Sequence, residues 1–185
     1  MKVLAIVSSV NKDGKTAASA KSLLEGAQIG GAQSKLVFLT DMYLQRCRQC
    51  DSEGWGECRY EDRCIIEDDF QSLIDGIRES DVIIFATLVY FSDMSESMRG
   101  VLERLRRTCI TELGRPGITG KPVIGICHAG GSGGGSITCM HNLELMLLQC
   151  GFSIDDMVSV RRQNFEVKQE MFRILGRWLV ESVGV

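Results

Sequence analysis

The chain lacks any long hydrophobic run. Val3–Val7 is an apolar stretch of only five residues. That is too short for the core of a signal peptide, and no segment approaches the roughly 20 apolar residues of a membrane-spanning helix. Net charge is scarce as well. The formal balance is −3, which gives neither nucleic acid nor an acidic membrane surface a reason to bind. Aromatic residues make up 6% of the chain, so a pair of them beside a strand end stands out. Repeats, low-complexity tracts and linkers are missing too, and 185 residues suffice for one full core. Together these absences predict a single cytoplasmic domain, residues 1–185, with no nucleic-acid and no membrane partner.

Cysteine, by contrast, is plentiful. Eight Cys are heavy use for a reducing compartment and ask for a redox or metal explanation before a disulfide one.

The run Val3–Val7 suits a strand buried on both faces of a parallel sheet. Polar residues follow at once, from Ser8 to Thr16, and then apolar positions at helical spacing: Thr16, Ala20, Leu23, Leu24 and Ala27. The spacing predicts a helix over Lys15–Ile29, stopped by Gly30-Gly31. A strand, a polar loop and a helix N-terminus make an anion site, because unpaired amides and the positive end of the helix dipole converge there. A phosphate group is the expected occupant.

Further strands are expected at Leu36–Leu39, Val82–Ala86, Val123–Cys127 and Phe152–Val158. Helices should carry Phe70, Leu73, Ile74 and Ile77; Met98, Val101, Leu102 and Leu105; Met140, Leu143 and Leu147; and, last, Val167, Met171, Ile174, Leu175, Trp178 and Leu179. Arg104, Arg106 and Arg107 read as a basic turn, followed by a loop with Gly114, Pro116 and Gly117. Five strands alternating with five helices predict a doubly wound α/β fold with helices on both faces of the sheet. Ligands bind outside the carboxyl ends of such strands. The chain's three unusual loops, after strands one, three and four, open on that edge.

Ser9-x4-Gly14-Lys15-Thr16 is one residue short of a P-loop, so a nucleotide-binding protein of phosphoryl-transfer type is one alternative. Such a site needs an acidic residue at a neighbouring strand end to hold magnesium; these strands end in Ala86-Thr87 and Cys127-His128. In Thr87-Leu88-Val89-Tyr90-Phe91 the two aromatics just past a strand end either cap the core or offer a flat surface on which a heteroaromatic ring can stack. The third loop has five Gly in the six positions from Gly130 to Gly135, which lets backbone amides approach a ligand closely. His128 beside it reads as a packed or solvent-facing residue rather than a proton donor.

This order of motifs resembles the NADPH-dependent FMN reductase family over roughly Met1 to Phe152, and the Cys-rich segment looks like that family's iron-sulfur flavoprotein branch. The resemblance implies a flavodoxin-like five-stranded parallel sheet in the order 2-1-3-4-5, bound FMN, NAD(P)H as co-substrate and a homodimer or homotetramer. It also implies a flavin or quinone reductase passing electrons to a small-molecule or protein acceptor. An electron carrier that does not use NAD(P)H directly is the alternative within redox chemistry. Carried over to this sequence, Ser8, Asn11, Gly14, Lys15 and Thr16 would hold the FMN phosphate. Thr87, Leu88, Val89, Tyr90 and Phe91 would line the isoalloxazine, with Tyr90 against the ring, and Ala129, Gly130, Gly131 and Gly133 would cover its other flank. Where the family usually has Gly-Ser-Pro and Thr-Pro, this chain has Ser8-Ser9-Val10 and Thr87-Leu88. No catalytic side chain is nominated.

Between residues 41 and 65 lies a long irregular insertion holding Cys47, Cys50, Cys58 and Cys64, spaced Cys-x2-Cys-x7-Cys-x5-Cys. A loop this long is usually functional. Four thiolates can wrap a tetrahedral Zn²⁺ or the corners of a [4Fe-4S] cluster. A labile disulfide, or thiols with no shared role, are the other outcomes this spacing admits. The iron-sulfur flavoprotein pattern has two residues between its second and third Cys; here there are seven, including Gly54-Trp55-Gly56.

Overall fold

The computed structural model describes residues 1–109 and 116–183, so Gly114 of the expected loop lies outside the described residues. Val3, Ala5 and Val7 of β1 (Lys2–Val7) point to one side of a sheet, and Leu4 and Ile6 to the other. The two-residue alternation thus makes two cores, one on each face. The side of Val3 is covered by α1 (Lys15–Ile29) and α5 (Phe165–Val183). The side of Leu4 is covered by α2 (Phe70–Glu79), α3 (Glu96–Thr108) and α4 (Ser136–Gln149).

The parallel strands lie in the order β2-β1-β3-β5-β6, with β2 at Gln33–Phe38, β3 at Val82–Tyr90, β5 at Pro122–Ala129 and β6 at Ser153–Arg161. This is the predicted five-strand order, with one addition. β3 runs past Ala86 to Tyr90 and folds back as a short antiparallel β4 (Asp93–Met94), so Val89 pairs with Met94 and Tyr90 with Asp93. β2 begins three residues earlier than expected, at Gln33, and Leu39 falls in a 3₁₀ turn, Leu39–Asp41. As an edge strand it pairs on one side only, and its polar half Gln33–Lys35 gives no apolar signal. β6, the opposite edge, likewise runs beyond Val158 to Arg161.

Arg104 is a correction to the expected basic turn. α3 continues through Thr108, and its spacing puts Arg104 on the inner face with Val101, Leu102 and Leu105, where it is 2% exposed. Among the described residues no helix is long and apolar enough to cross a membrane.

Candidate functional site at the carboxyl edge of the sheet

The turn from β1 into α1 is built around Asn11. Its carbonyl accepts from the Gly14 amide (3.2 Å) and the Ser9 hydroxyl (3.0 Å), and its side chain accepts from the Asp13 amide (3.0 Å). Gly14 then starts α1 in an extended conformation with no side-chain cap. Thr16 follows inside the first turn. It is 1% exposed, and its Oγ1 has no hydrogen-bond partner. A buried hydroxyl without a partner costs about 1–3 kcal/mol unless something else satisfies it. An uncapped helix start is also where an anion is favoured. Asn11, Gly14, Lys15 and Thr16 thus lie together in this turn and the first turn of α1.

Ser8 and Thr87 are placed differently. Ser8 donates to Thr87 Oγ1 at 3.0 Å, Ser95 donates to Ser8 at 2.7 Å, and the Ser95 amide donates to Thr87 Oγ1 at 3.1 Å. All three residues are buried. The hydroxyl triangle ties the ends of β1 and β3 to the start of α3, which Ser95 also caps by accepting from the Met98 amide. Both hydroxyls are engaged in this triangle, so the structural part these residues take is the positioning of the strand ends.

Leu88 and Val89 are half-buried in β3, while Tyr90 is 57% exposed and Phe91 fully so. Phe91 and Ser92 form the tight turn into β4 with φ of +46° and +68°. That left-handed conformation is unfavourable for an aromatic residue. It is held by neighbours. Arg99 donates to both oxygens of Asp93 at 2.6 Å, and Asn142 donates to Asp93 at 3.4 Å, tying β4 to α3 and α4. Although burial raises the Asp93 carboxyl, its bonds from Arg99, the Met94 amide and Asn142 hold it below its ordinary value. At the N-cap of α4, Gly135 (φ +76°) sits so close to Ser92 that a Cβ would fall 2.7 Å from Ser92 Cα. The third loop thus buttresses the hairpin. Ala129 ends β5 buried, Gly130 and Gly131 open onto free space, and Gly133 packs under Arg161.

On the α3 side of the same molecule the four loop cysteines line one small cavity of about 20 Å³, together with Trp55, Arg104 and Arg107. Arg104 Nη2 donates to Cys64 Sγ at 3.3 Å. Arg107 lies 4.7 Å from the centre of the Trp55 ring and donates to the Gly54 carbonyl at 2.6 Å. Burial pushes the Cys58 thiol up, and Arg107 opposes it. Among the described residues no three His, Cys, Asp or Glu side chains converge on a point that would hold a single metal ion. A tetrahedral ion needs its ligands at one point, whereas a cubane takes one thiolate on each iron; what these four thiols share is the lining of one cavity. The other four cysteines are buried, and two of them, Cys127 and Cys139, are in contact at 3.4 Å.

Sequence reasoning missed Ser95, Arg104 and Arg107 as parts of these sites, and noted Asp68 only as an acidic residue that follows the Cys-rich segment as in the iron-sulfur flavoprotein pattern. Asp68 carried a signal, as an acidic residue before a helix. Arg104 also carried one, since it falls in register with the apolar face of α3.

Fold and edge geometry define a doubly wound α/β protein whose uncapped first strand–helix turn and glycine-rich third loop lie at the carboxyl edge of its sheet. The chain belongs to the NADPH-dependent FMN reductase family, which matches residues 1–166, and is an FMN-dependent oxidoreductase of that family. It is 27% identical over 146 residues to an iron-sulfur flavoprotein of Methanocaldococcus jannaschii, covering 79% of this chain and 72% of that one. An iron-sulfur flavoprotein of Methanosarcina thermophila is 28% identical over 104 residues, 56% of this chain and 52% of its own length. The chain thus spans about half of that second relative. A flavodoxin from the domain Archaea superposes over 100% of both chains with a TM-score of 0.67 at 14% identity, which speaks for the fold alone.

Proposed function

We propose that this chain is an NAD(P)H-dependent flavin or quinone reductase that holds FMN across the carboxyl edge of its sheet. The unpartnered Thr16 hydroxyl at the uncapped start of α1 carries this reading. Thr16 and the first-turn amides of Gly14, Lys15 and Thr16 bind the phosphate, with Asn11 holding the loop open around it. Leu88, Val89, Tyr90 and Phe91 form one wall for the isoalloxazine, and Ala129, Gly130, Gly131 and Gly133 form the other, close enough for backbone amides to reach its polar edge. Bound FMN supplies the hydride- and electron-transfer chemistry. The protein's part is to bind, orient and desolvate.

Cys47, Cys50, Cys58 and Cys64 are the residues that would hold a 4Fe-4S cluster, with Arg104 and Arg107 offsetting its negative charge. Family resemblance and the ring of thiols support this finer reading, together with a small-molecule or protein acceptor, a homodimer or homotetramer and a cytoplasmic site of action. An electron carrier that bypasses NAD(P)H is a second reading, favoured by the same cysteine ring.

The test is an absorbance spectrum of protein purified without oxygen, with iron and acid-labile sulfide assayed on the same sample. Flavin bands with four irons per chain establish the cluster. Flavin bands without iron leave an FMN reductase whose cysteine loop has another role. Rapid mixing with NADPH then separates the two redox readings: prompt bleaching marks the reductase, inertness the carrier. Tight magnesium-dependent ATP or GTP binding in place of flavin would overturn both.

A further inference from the structure

His128 is the last buried polar side chain of β5, and the flavin reading gives it no part. It stands two residues beyond Ile126, on the face covered by α1 and α5. It is 6% exposed, and its Nε2 is buried without a hydrogen-bond partner. A buried imidazole nitrogen in that condition asks for an explanation.

Its surroundings supply one. The ring meets Phe165 edge-on at 5.9 Å and 87°, while the Lys15 ammonium lies over the same Phe165 ring at 5.0 Å. Lys15 is the first residue of α1 and Phe165 the first of α5, so the side chains that open two helices meet beside the imidazole. The ammonium and each helix N-terminus contribute positive potential. From α1 His128 faces Lys15, from α5 the uncharged Phe165, and its register neighbours on β3 and β6 are Leu88 and Val160. Burial, then Lys15, pushes the imidazole below its ordinary value of 6.5, so it is neutral at neutral pH. Thr16, the other unpartnered buried group at this edge, directly follows Lys15. Two polar groups beside Lys15 thus lack partners, and both would gain from a dianion.

We propose that His128 takes up a proton when the phosphate of the flavin settles at the start of α1, which makes it the group that distinguishes phosphorylated flavin from riboflavin. This rests on the FMN reading of the same site. A dianion there cancels the field of Lys15 and the helix N-termini, and the imidazolium that forms adds an attraction available only to a phosphorylated ligand. Binding and protonation are then linked: FMN is held more tightly as the pH falls through the range in which His128 titrates.

The chain has only two histidines, and His141 is exposed, so both imidazole resonances can be followed by proton NMR. The wild-type protein is titrated with acid alone, with saturating FMN, with saturating riboflavin and with inorganic phosphate, flavin occupancy being read from fluorescence quenching in the same samples. The expected result is a His128 midpoint that rises by about one pH unit with FMN and with phosphate, stays put with riboflavin, and leaves His141 unmoved. One unit corresponds to about tenfold in affinity. The preference for FMN over riboflavin should therefore fall about tenfold in His128→Gln at pH 6, and less at pH 8. Bound FMN that leaves His128 unmoved, or riboflavin that moves it equally, overturns the proton link and spares the flavin reading. FMN that fails to bind at all overturns both.

Discussion

Arg104 Nη1 stands 2.6 Å from Asp68 Oδ2, with the two side chains 2% and 0% exposed. A second bond, from Nη2 to Oδ1 at 2.9 Å, makes the pair bidentate. Arg104 also reaches the Gln45 carbonyl and Cys64, and stacks 4.0 Å from the centre of the Phe70 ring. One guanidinium thus fastens both ends of the cysteine insertion to α3. Replacing one partner strands a buried charge, at a cost of about 3–5 kcal/mol, whereas exchanging both for apolar residues is far milder. Arg104→Met and Asp68→Asn should each lower the urea midpoint sharply, and Asp68→Leu with Arg104→Met much less. Equal losses in all three would show that the pair is not a unit. Burial raises the Asp68 carboxyl, but its bonds from Arg104 and from the Gln45 and Phe70 amides outweigh that and hold it below its ordinary value. Its contribution is therefore complete above the unfolded carboxylate value of about 4 and is lost as the pH falls toward the depressed folded value. The stability gap between wild type and the double replacement should close in acid.

A second prediction concerns how α1 and α5 approach. A Cβ on Gly176 would collide with the Leu23 carbonyl and sit 2.8 Å from the Ala27 amide nitrogen, and one on Gly26 would collide with the Arg173 carbonyl. The obstacles are backbone, which cannot turn aside. Gly176→Ala should cost at least the roughly 1–3 kcal/mol of an overpacked core, read as a fall in Tm. Gly100→Ala is the control. That Cβ meets nothing within 4 Å in α3, so alanine's better helix propensity should raise stability by about 0.5–1 kcal/mol.

Apolar runs and helical spacing are local signals, which is why the five parallel strands and the α1 start were legible in the sequence, while the strand order came from the family resemblance. β4 was not, because two residues hold no period and its turn uses Phe91 and Ser92 where glycine or asparagine would have announced it. The Ser8–Thr87–Ser95 triangle joins residues far apart in the chain, so no spacing could show that these hydroxyls bond one another. The cysteine spacing gave the donor set, but Arg104 and Arg107 reach the cavity from another element and were visible only once α3 had an inward face.

Tyr90 tests the ring wall. It stands 57% exposed at the end of β3, free to cover a flat ligand. If it stacks on the isoalloxazine, Tyr90→Ala should weaken FMN binding by about 1–3 kcal/mol in a fluorescence titration, as for loss of a buried aromatic contact. The same substitution should leave the thermal midpoint almost unchanged, since the exposed ring buries little. Unaltered affinity would put Tyr90 outside the site.

Thr16 gives the sharpest separation of stability from binding. In the free protein its hydroxyl is buried and unpartnered, so the fold carries its desolvation cost without a compensating bond. Thr16→Val removes the hydroxyl and keeps the shape. The free protein should therefore be as stable as wild type, or more stable by up to about 1 kcal/mol. FMN affinity should move the other way, because a bond from a hydroxyl to a charged phosphate contributes about 1.5–3 kcal/mol. Riboflavin affinity should stay unchanged, since that ligand has nothing for the hydroxyl to reach. Calorimetric unfolding and parallel titrations with the two flavins read all three quantities on one variant. A loss of stability, or equal losses for both flavins, would mean that Thr16 serves the fold instead of the phosphate.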